Sequence, residues 1–288
     1  MITTDALTKA YGSQRALDAV SLSLRPGTVT GVVGPNASGK TTLMRLIAGL
    51  VAASSGTIAF NGEVLTTDQR ICWCSYAADG SDLGTNRLSR VVSYASLRPS
   101  WQAARFAHLC ERFAIDLRRP AHQLSTGQRS LFAAALTLSS GAPVLLLDES
   151  QATMDVPTRY ALYEEILEVA GRAEQSILLS THLVGEVETI VEDVVVLAAG
   201  SLVIATDAEQ LRSRMTSLVG APAAIDAALA SLPGLMVISR RSLGPATAVV
   251  LEGHVDPAVL SHLAQRGITA SPVPFQDAFT HLVKEIKR

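Results

Sequence analysis

The sequence predicts an α/β protein with a mostly parallel sheet and a smaller antiparallel part. Short β-type runs alternate along the chain with longer segments whose apolar residues have helical spacing, which is typical of parallel strands joined by crossover helices. Pro143–Leu147 is a short apolar run of the kind that forms a strand buried on both faces. The pair Asn61-Gly62, between two further runs, is a strong hairpin signal, so an antiparallel part accompanies the parallel one.

The larger, N-terminal part of the chain follows this alternation. A strand over Thr28–Val33 runs into a glycine-containing loop, and the spacing of Leu43, Leu46 and Ile47 predicts a helix over Lys40–Leu50. The other predicted elements are an alternating strand over Val20–Leu24, a hairpin of Thr57–Phe60 with Glu63–Leu65, helical spacing over Ser89–Phe113, a helix over Pro157–Ala170, a strand over Ser176–Ser180 and a hairpin of Glu192–Leu197 with Leu202–Ala205.

The character of the sequence changes near residue 212, and we predict a small α+β domain over 213–288. Just before it, Thr206 and Glu209 have the spacing of a capping box that opens a short helix. Asp256-Pro257 predicts a further helix start. A last helix is expected over 275–288, where the basic final turn suits the helix dipole. Short strands are predicted at Leu235–Ser239, Thr247–Glu252 and Ile268–Val273.

Composition excludes several classes of protein. Apolar residues are 48% and charged residues 17%, which excludes a disordered chain. The net charge of −2 provides no basic field, so we expect no nucleic-acid partner. Mean hydropathy is +0.29, but a membrane span needs about 20 mostly apolar residues. The most apolar stretch, Val187–Ala205, contains three acidic residues, so we expect no span.

The N-terminus and the cysteines bear on the compartment. Residues 1–5 have neither a basic nor an apolar region, so we expect no signal peptide. The chain has three cysteines, Cys72, Cys74 and Cys110, and an odd number of cysteines without a signal peptide indicates a reducing compartment. We expect them to be buried or half-buried thiols.

A phosphate-binding loop is the strongest local signal. Gly34-Pro35-Asn36-Ala37-Ser38-Gly39-Lys40-Thr41, followed by Thr42, matches G-x-x-x-x-G-K-[ST] between a predicted strand and a predicted helix. Glycines let backbone N–H groups turn toward an anion, and the helix N-terminus adds partial positive charge. Lys40 is expected to reach the β- and γ-phosphates, and the Thr41 hydroxyl to hold magnesium. Ala37 stands where glycine is common.

A carboxylate pair ends the buried strand that follows Pro143. A phosphate-binding loop of this kind needs an acidic residue at a strand end to help hold magnesium, and Asp148 supplies it, through a water. Glu149 is placed to act as the base that polarises the attacking water.

The order of these motifs resembles the ATP-binding-cassette (ABC) ATPases. The distinguishing element is Leu124-Ser125-Thr126-Gly127-Gln128, which looks like the LSGGQ signature and lies between the phosphate loop and the acidic strand. The resemblance covers residues 1–212. It implies a P-loop NTPase core of ABC type, with an antiparallel β subdomain and a helical subdomain at about 77–140, and it implies ATP and Mg²⁺ as ligands.

The resemblance also implies roles for single residues. Tyr11 resembles the aromatic that stacks on adenine, and His182 the switch histidine that contacts the γ-phosphate, as a catalytic residue beside Glu149. Asp155 resembles the residue that bridges two cassettes. The signature, Ser125, Thr126, Gly127 and Gln128, would contact ATP held by a second cassette, so hydrolysis would need two, in a homodimer or a heterodimer.

One departure from the family pattern concerns Tyr76. It falls where the family has a glutamine that touches magnesium and the transport partner. A phenol can donate a hydrogen bond but is a poor magnesium ligand, which puts coordination, turnover and coupling in question. A smaller departure is Ser150, where proline is frequent.

The resemblance implies an ATPase that powers export through a separate integral membrane permease, bound peripherally at the cytoplasmic face of the membrane. Phe275–Leu282 resembles the ending of exporter-type cassettes, and Trp73–Trp101 is the region that contacts the permease in this family. Two alternatives stay open: a regulatory or weakly hydrolysing cassette, and a soluble cassette with no transport role.

Overall fold

A computed structural model of the chain describes residues 1–78, 83–172, 174–182, 185, 188–232, 234–253, 255–273 and 277. The predicted last helix and the exporter-like segment 275–282 lie outside them, apart from Asp277. The chain divides into two compact units, Met1–Ala205 and Thr206–Arg288.

A six-stranded sheet forms the centre of the first unit. Its strands are β3 (Val29–Val33), β6 (Cys74–Ala77), β7 (Val144–Asp148), β8 (Ser176–Thr181), β9 (Asp193–Ala198) and β10 (Ser201–Asp207). The order is β10-β9-β3-β8-β7-β6, and the pairs from β9 to β6 are parallel. All residues of β3, β7 and β8 are buried, as expected of central strands covered on both faces.

A second, antiparallel sheet packs in the same unit. It contains β1 (Ile2–Tyr11), β2 (Gln14–Leu24), β4 (Ser55–Phe60) and β5 (Glu63–Val64), in the order β2-β1-β4-β5. Residues of this sheet, of the parallel sheet and of helix α1 (Lys40–Ile47) share one hydrophobic core, in which Leu17, Leu43, Met44, Leu146 and Leu178 are fully buried. This core fixes the start of α1 against the ends of the parallel strands.

The remaining helices of the first unit are α2 (Thr67–Trp73), α3 (Leu88–Ala95), α4 (Ala103–Arg112), α5 (Thr126–Leu138) and α6 (Val156–Ala170). The helical spacing predicted over Ser89–Phe113 corresponds to two helices, α3 and α4, because the chain leaves α3 at Ser96 and proline at position 99 prevents its continuation. Cys74 is buried and Cys110 half-buried, but Cys72 is exposed on α2, contrary to expectation.

An ion-pair network joins α4 to α6. The Glu165 side chain is fully buried, and its Oε1 accepts hydrogen bonds from Arg112 Nη1 at 2.5 Å and from His108 Nε2 at 2.9 Å. Arg105 Nη1 lies 4.0 Å from Glu165 Oε2. Burial alone raises the pKa of Glu165, but the hydrogen bonds from His108 and Arg112 outweigh it and hold that pKa below its ordinary value.

The second unit has its own sheet and core. After α7 (Ala208–Ser213) come β11 (Met215–Gly220), α8 (Pro222–Ala230), β12 (Met236–Leu243), β13 (Ala246–Glu252), α9 (Pro257–Gln265) and β14 (Thr269–Pro272). The sheet is antiparallel in the order β12-β13-β11-β14. This β-α-β-β-α-β succession is the split arrangement of ferredoxin-like folds. Leu218, Val249 and Leu251 pack there with Ile225 and Leu263 of the helices.

The start of α7 differs from the predicted capping box. Asp207 is the N-cap, and its Oδ1 accepts hydrogen bonds from the backbone N–H groups of Glu209 and Gln210. Thr206 instead donates to the Gln210 side chain at 3.0 Å. A carboxylate at the N-cap satisfies two of the free N–H groups at once. The boundary predicted at residue 212 lies inside this helix. Among the described residues, no helix is long and apolar enough to cross a membrane.

Candidate nucleotide-binding site

The phosphate loop joins β3 to α1 and depends on two glycines. Gly39 has φ 104°, and a Cβ there would lie 2.7 Å from the carbonyl oxygen of Ala16. A Cβ on Gly34 would lie 2.4 Å from the carbonyl oxygen of Leu197. Both distances are too short for a side chain, so these positions need glycine. The loop thereby brings its backbone close to the N-terminus of α1, where free N–H groups can accept an anion.

Two small residues of the loop support this interpretation. Ala37 has φ 62°, in the left-handed region that favours glycine, which explains why glycine is common at this position. Ser38 is buried, and its Oγ has no hydrogen-bond partner among the described residues. A buried hydroxyl without a partner is costly, and a phosphate oxygen would satisfy it.

Lys40 is the first residue of α1 and is only 4% exposed. Its Nζ donates hydrogen bonds to the carbonyl oxygens of Gly34 at 2.9 Å and Pro35 at 3.2 Å, and lies 3.2 Å from Glu149 Oε1. The loop therefore bends around the ammonium group, which is held at the point where phosphates would lie.

Asp148, at the end of β7, is the centre of a hydroxyl cluster. Its Oδ1 accepts hydrogen bonds from Ser180 Oγ at 2.5 Å and from Thr41 Oγ1 at 3.2 Å. The parallel register pairs Asp148 directly with Ser180. Hydroxyl and carboxylate oxygens are the ligands that Mg²⁺ prefers, so Thr41 and Asp148 fit a magnesium ion that also binds phosphates.

Tyr76 lies on β6, next to β7, and is in contact with the same carboxylate. Its Oη donates a 2.8 Å hydrogen bond to Asp148 Oδ2 and accepts a 3.4 Å hydrogen bond from Arg45 Nε. Burial raises the pKa of Tyr76 well above its ordinary value, and the negative charge of Asp148 adds to the effect. The tyrosine is therefore a neutral donor to Asp148.

Glu149 follows Asp148 in a left-handed conformation, with φ 50°. Its backbone N–H donates to Ser180 Oγ at 3.0 Å and to the Ser180 carbonyl oxygen at 3.3 Å. This turn directs its carboxylate toward both Lys40 and His182, whose Nδ1 lies 3.3 Å from Glu149 Oε2. Strain of this kind is often found at functional sites. The next residue, Ser150, is fully buried and donates to the carbonyl oxygen of Ala77 at 3.3 Å, a bond that proline could not make.

A cavity of about 500 Å³ opens beside the loop. Tyr11 lies at its edge with half of its surface exposed, and Lys9 Nζ is 4.9 Å from the ring centroid. The cavity is large enough for a nucleotide. Its lining contains the following predicted site residues: Tyr11, Asn36, Ala37, Ser38, Gly39, Lys40, Thr41, Thr42 and Glu149.

The signature residues lie apart from this cavity, at the start of α5. Ser125 is the N-cap, and its Oγ accepts from the backbone N–H of Gln128 while the Gln128 side chain accepts from the backbone N–H of Ser125. Thr126 is exposed, whereas Gly127 packs so closely that a Cβ would lie 2.5 Å from the Thr153 carbonyl oxygen. Ser125 and Gln128 are exposed as well, so the N-terminus of α5 is accessible from solvent.

Asp155 is exposed and caps α6, accepting a hydrogen bond from the backbone N–H of Thr158 at 3.2 Å. Its loop is fixed to the signature helix, because Ser130 Oγ lies 3.2 Å from Thr153 Oγ1. The start of α5 therefore lies beside the loop that leads to Asp155.

Two residues of the site were not singled out by the sequence. The hydroxyl of Ser180 holds Asp148 and the backbone of Glu149, and the guanidinium of Arg45 contacts Tyr76. A serine at the carboxyl end of a buried strand is a signal for Ser180, since such ends meet at one edge of a parallel sheet. Arg45 lies four residues after Thr41 on the same helical face.

Comparison with known proteins decides the family. Residues 17–152 match the family described as ABC transporter. An Fe(3+) ions import ATP-binding protein FbpC of Pseudomonas fluorescens is 31% identical over 264 residues, which are 84% of this chain and 74% of that protein. The chain belongs to the ATP-binding proteins of ABC transporters, a family of ATPases. The family predicted from the signature is confirmed.

Other relatives of this ABC protein differ in their stated roles. The Fe(3+) ions import ATP-binding protein FbpC 3 of Rhodococcus jostii is 33% identical over 69% of the chain, and the match spans only 60% of its length. The daunorubicin resistance ATP-binding protein DrrA3 of Streptomyces coeruleorubidus is 29% identical over 100% of the chain and 97% of that protein. The relatives therefore include both importers and a resistance protein, so similarity does not establish that the chain is of the exporter type.

Solved structures agree on the fold. A dimeric ATP-binding cassette in a post-hydrolysis state with bound ADP and Pi superposes with a TM-score of 0.63, at 18% identity, over 72% of this chain and 99% of that chain. The predicted α/β class with a mostly parallel sheet and an antiparallel part is confirmed.

Proposed function

We propose that the chain is the ATP-binding and ATP-hydrolysing subunit of an ABC exporter whose permease is a separate membrane protein. One observation carries the proposal most strongly. Lys40, Thr41, Asp148 and Glu149 converge at one edge of the parallel sheet, where direct contacts join them in two pairs: Lys40 with Glu149, and Thr41 with Asp148.

The chain's own groups would bind the triphosphate as follows. The N-terminus of α1 and the Ser38 hydroxyl supply hydrogen-bond donors, and Lys40 supplies a positive charge that it now shares with Glu149. Thr41 and Asp148 would hold Mg²⁺, which neutralises charge on the phosphates when bound. Tyr11, at the edge of the cavity, presents an exposed ring on which adenine can stack.

Glu149 would accept the proton of the attacking water. Its backbone is held by Ser180, and its carboxylate lies beside His182. As the water oxygen bonds to the γ-phosphorus, the bond to the leaving oxygen breaks and the proton passes to the Glu149 carboxylate, giving ADP and inorganic phosphate. His182 would orient Glu149 and the γ-phosphate.

A second cassette would complete the site. The signature residues Ser125 to Gln128 lie at an open helix N-terminus, and Asp155 is exposed on the connected loop. Facing another copy or a homologous chain, they could contact the partner's nucleotide, so that ATP holds the two cassettes together and hydrolysis releases them. In this proposal the pair lies on the cytoplasmic face of the membrane, beneath the permease.

Export is favoured over import by the extent of similarity. The alignment with the resistance protein includes the C-terminal unit and nearly all of both chains, whereas those with FbpC 3 and with the FbpC of Pseudomonas fluorescens cover 69% and 84% of this chain. Removal from the cell is one way in which resistance to a drug arises.

A weakly hydrolysing cassette is a second candidate, favoured by the hydrogen bond from Tyr76 to Asp148. A turnover measurement on the complex with its permease separates the two candidates. Vigorous ATP hydrolysis supports the first, and ATP binding with negligible hydrolysis supports the second.

The Glu149→Gln variant tests the hydrolytic role. We expect a dimer that forms with ATP, seen by light scattering after gel filtration, and a large loss of ATP hydrolysis. Glu164→Gln is a matched control, because Glu164 is exposed on α6 and lies outside the cavity; it should hydrolyse ATP like the wild type. Wild-type hydrolysis by Glu149→Gln would contradict the assignment.

The transport proposal is tested by co-purification from membranes, which should recover an integral membrane protein. With the complex in inside-out vesicles, an exporter accumulates substrate in the lumen when ATP is added. Recovery without any membrane protein would contradict the proposal.

A further inference from the structure

Three hydroxyl groups donate hydrogen bonds to the carboxylate of Asp148. Thr41 and Ser180 donate to Oδ1, and Tyr76 donates to Oδ2 at 2.8 Å. Asp148 itself is 5% exposed. Any Mg²⁺, or water bound to it, must share these oxygens with the hydroxyl donors.

Thr41 and Tyr76 differ in what they do for a metal. The Thr41 hydroxyl can donate its proton to Asp148 and still offer a lone pair to Mg²⁺. The Tyr76 oxygen donates to Asp148 and already accepts from Arg45 Nε at 3.4 Å. Donation from a cation to the phenol polarises its O–H bond and strengthens its hydrogen bond to the carboxylate.

A strong hydrogen bond withdraws charge from the carboxylate oxygen that receives it. The oxygen becomes a weaker acceptor toward Mg²⁺ and toward the water that Mg²⁺ carries, which retains much of its hydration in proteins. Arg45 adds a positive charge on the same side of Asp148. Tyr76 and Arg45 therefore both weaken the interaction of Asp148 with Mg²⁺.

We propose that Tyr76, supported by Arg45, is a positioning residue that competes with Mg²⁺ for Asp148, so that this cassette needs more Mg²⁺ to bind ATP than it would without the phenol hydroxyl. The inference rests on the proposed ATP-binding function and describes the control of that same site. It makes the concentration of free Mg²⁺ a determinant of nucleotide binding.

The Tyr76→Phe variant isolates the hydroxyl. The ring of Tyr76 is half-buried and packs against the core between the two sheets, and phenylalanine keeps that packing. Tyr160→Phe is the matched control, because it removes a phenol hydroxyl from an exposed residue of α6. Both variants are made in the full chain with Glu149→Gln, so that hydrolysis does not change the nucleotide.

The measurement is the affinity for ATP at a series of free Mg²⁺ concentrations, by isothermal titration calorimetry. We expect Tyr76→Phe to lower about tenfold the Mg²⁺ concentration at which the affinity for ATP has risen halfway to its maximum. A factor of this size corresponds to the loss of one hydrogen bond to a charged group. The affinity in EDTA should not change, because the hydroxyl acts only on the metal's carboxylate. Tyr160→Phe should behave like the parent.

Arg45→Lys is a second variant, safe for folding because Arg45 is exposed. It keeps the positive charge and removes the Nε donor, so we expect a shift in the same direction that is smaller than that of Tyr76→Phe. An unchanged Mg²⁺ dependence in both variants would overturn the inference, as would an equal change of affinity in EDTA. A parent that binds no ATP with or without Mg²⁺ would overturn the proposed function, and this inference with it.

Discussion

The hydroxyl of Ser180 donates a 2.5 Å hydrogen bond to Oδ1 of Asp148, across the parallel pair β7 and β8. The same oxygen of Ser180 accepts the backbone N–H of Glu149 at 3.0 Å. One buried side chain thus holds the carboxylate of Asp148 and the backbone of Glu149. Ser180, which the sequence motifs do not single out, therefore positions both Asp148 and Glu149.

Ser180→Ala should weaken both folding and hydrolysis. It leaves a buried carboxylate oxygen with one donor fewer, so we expect the free energy of unfolding to fall by about 1–3 kcal/mol, measured by urea denaturation, together with a clear loss of ATP turnover. Ser139→Ala is the control, because the Ser139 hydroxyl is buried without a hydrogen-bond partner among the described residues. Equal losses for both variants would contradict the proposed role of Ser180.

Two positions of the phosphate loop, 37 and 39, should differ in their tolerance of a side chain. Gly39→Ala forces a Cβ to within 2.7 Å of a carbonyl oxygen at φ 104°, so we expect loss of ATP binding by calorimetry. Ala37→Gly relieves the strain of a left-handed alanine but raises the conformational entropy of the unfolded chain. Because these effects oppose each other, the free energy of unfolding should change by less than about 1 kcal/mol, and ATP binding should be retained.

Gly62→Ala is the control for this pair. Gly62 has φ 86°, but a Cβ there meets no atom within 4 Å, so only the backbone cost of about 1–2 kcal/mol applies and ATP binding should persist. Intact binding by Gly39→Ala would mean that the loop can move away from Ala16.

The buried Glu165 should make stability depend on pH. Because its pKa is lower in the folded protein than in the unfolded chain, the charged form stabilises the fold fully above the unfolded value of about 4.3. That contribution is lost as the pH falls through the lower, folded value. Glu165→Gln should therefore cost about 3 kcal/mol near pH 7, and the difference from wild type should shrink below pH 4.

Urea denaturation across this pH range measures the effect. Glu164→Gln is the matched control: Glu164 contacts Arg112 as well, but its side chain is 69% exposed, so its loss should cost less than about 1 kcal/mol. A Glu165 variant with wild-type stability at pH 7 would contradict the assignment.

Gly127→Ala should disturb the signature helix. A Cβ there would lie 2.5 Å from the carbonyl oxygen of Thr153, so the start of α5 must shift away from the loop that carries Asp155. We expect a loss of about 1–3 kcal/mol in unfolding free energy and weaker ATP-dependent dimerisation by light scattering. At Gly171 the nearest atom to a Cβ is at 3.3 Å, and Gly171→Ala should leave dimerisation intact.

The sequence predicted those parts of the site that depend on local pattern. A glycine loop after an apolar run, and an acid at the end of another, are visible within a few residues of Lys40 and Asp148. The contact of Ser180 with Asp148 depends instead on the register between strands far apart in the chain. Tyr76 departs from the family pattern, but its hydrogen bond to Asp148 follows from the pairing of β6 with β7. The capping box predicted at Thr206 is wrong, because Asp207 is a better hydrogen-bond acceptor for the first backbone N–H groups of α7.

The separate hydrophobic core of the βαββαβ unit has a consequence for heat denaturation. Two units with independent cores need not melt together, and a ligand raises the melting temperature only of the unit that binds it. A calorimetric scan should therefore resolve two endotherms, of which MgATP moves one. The stationary peak would belong to the C-terminal unit, and its area would give the enthalpy of that fold inside the intact chain.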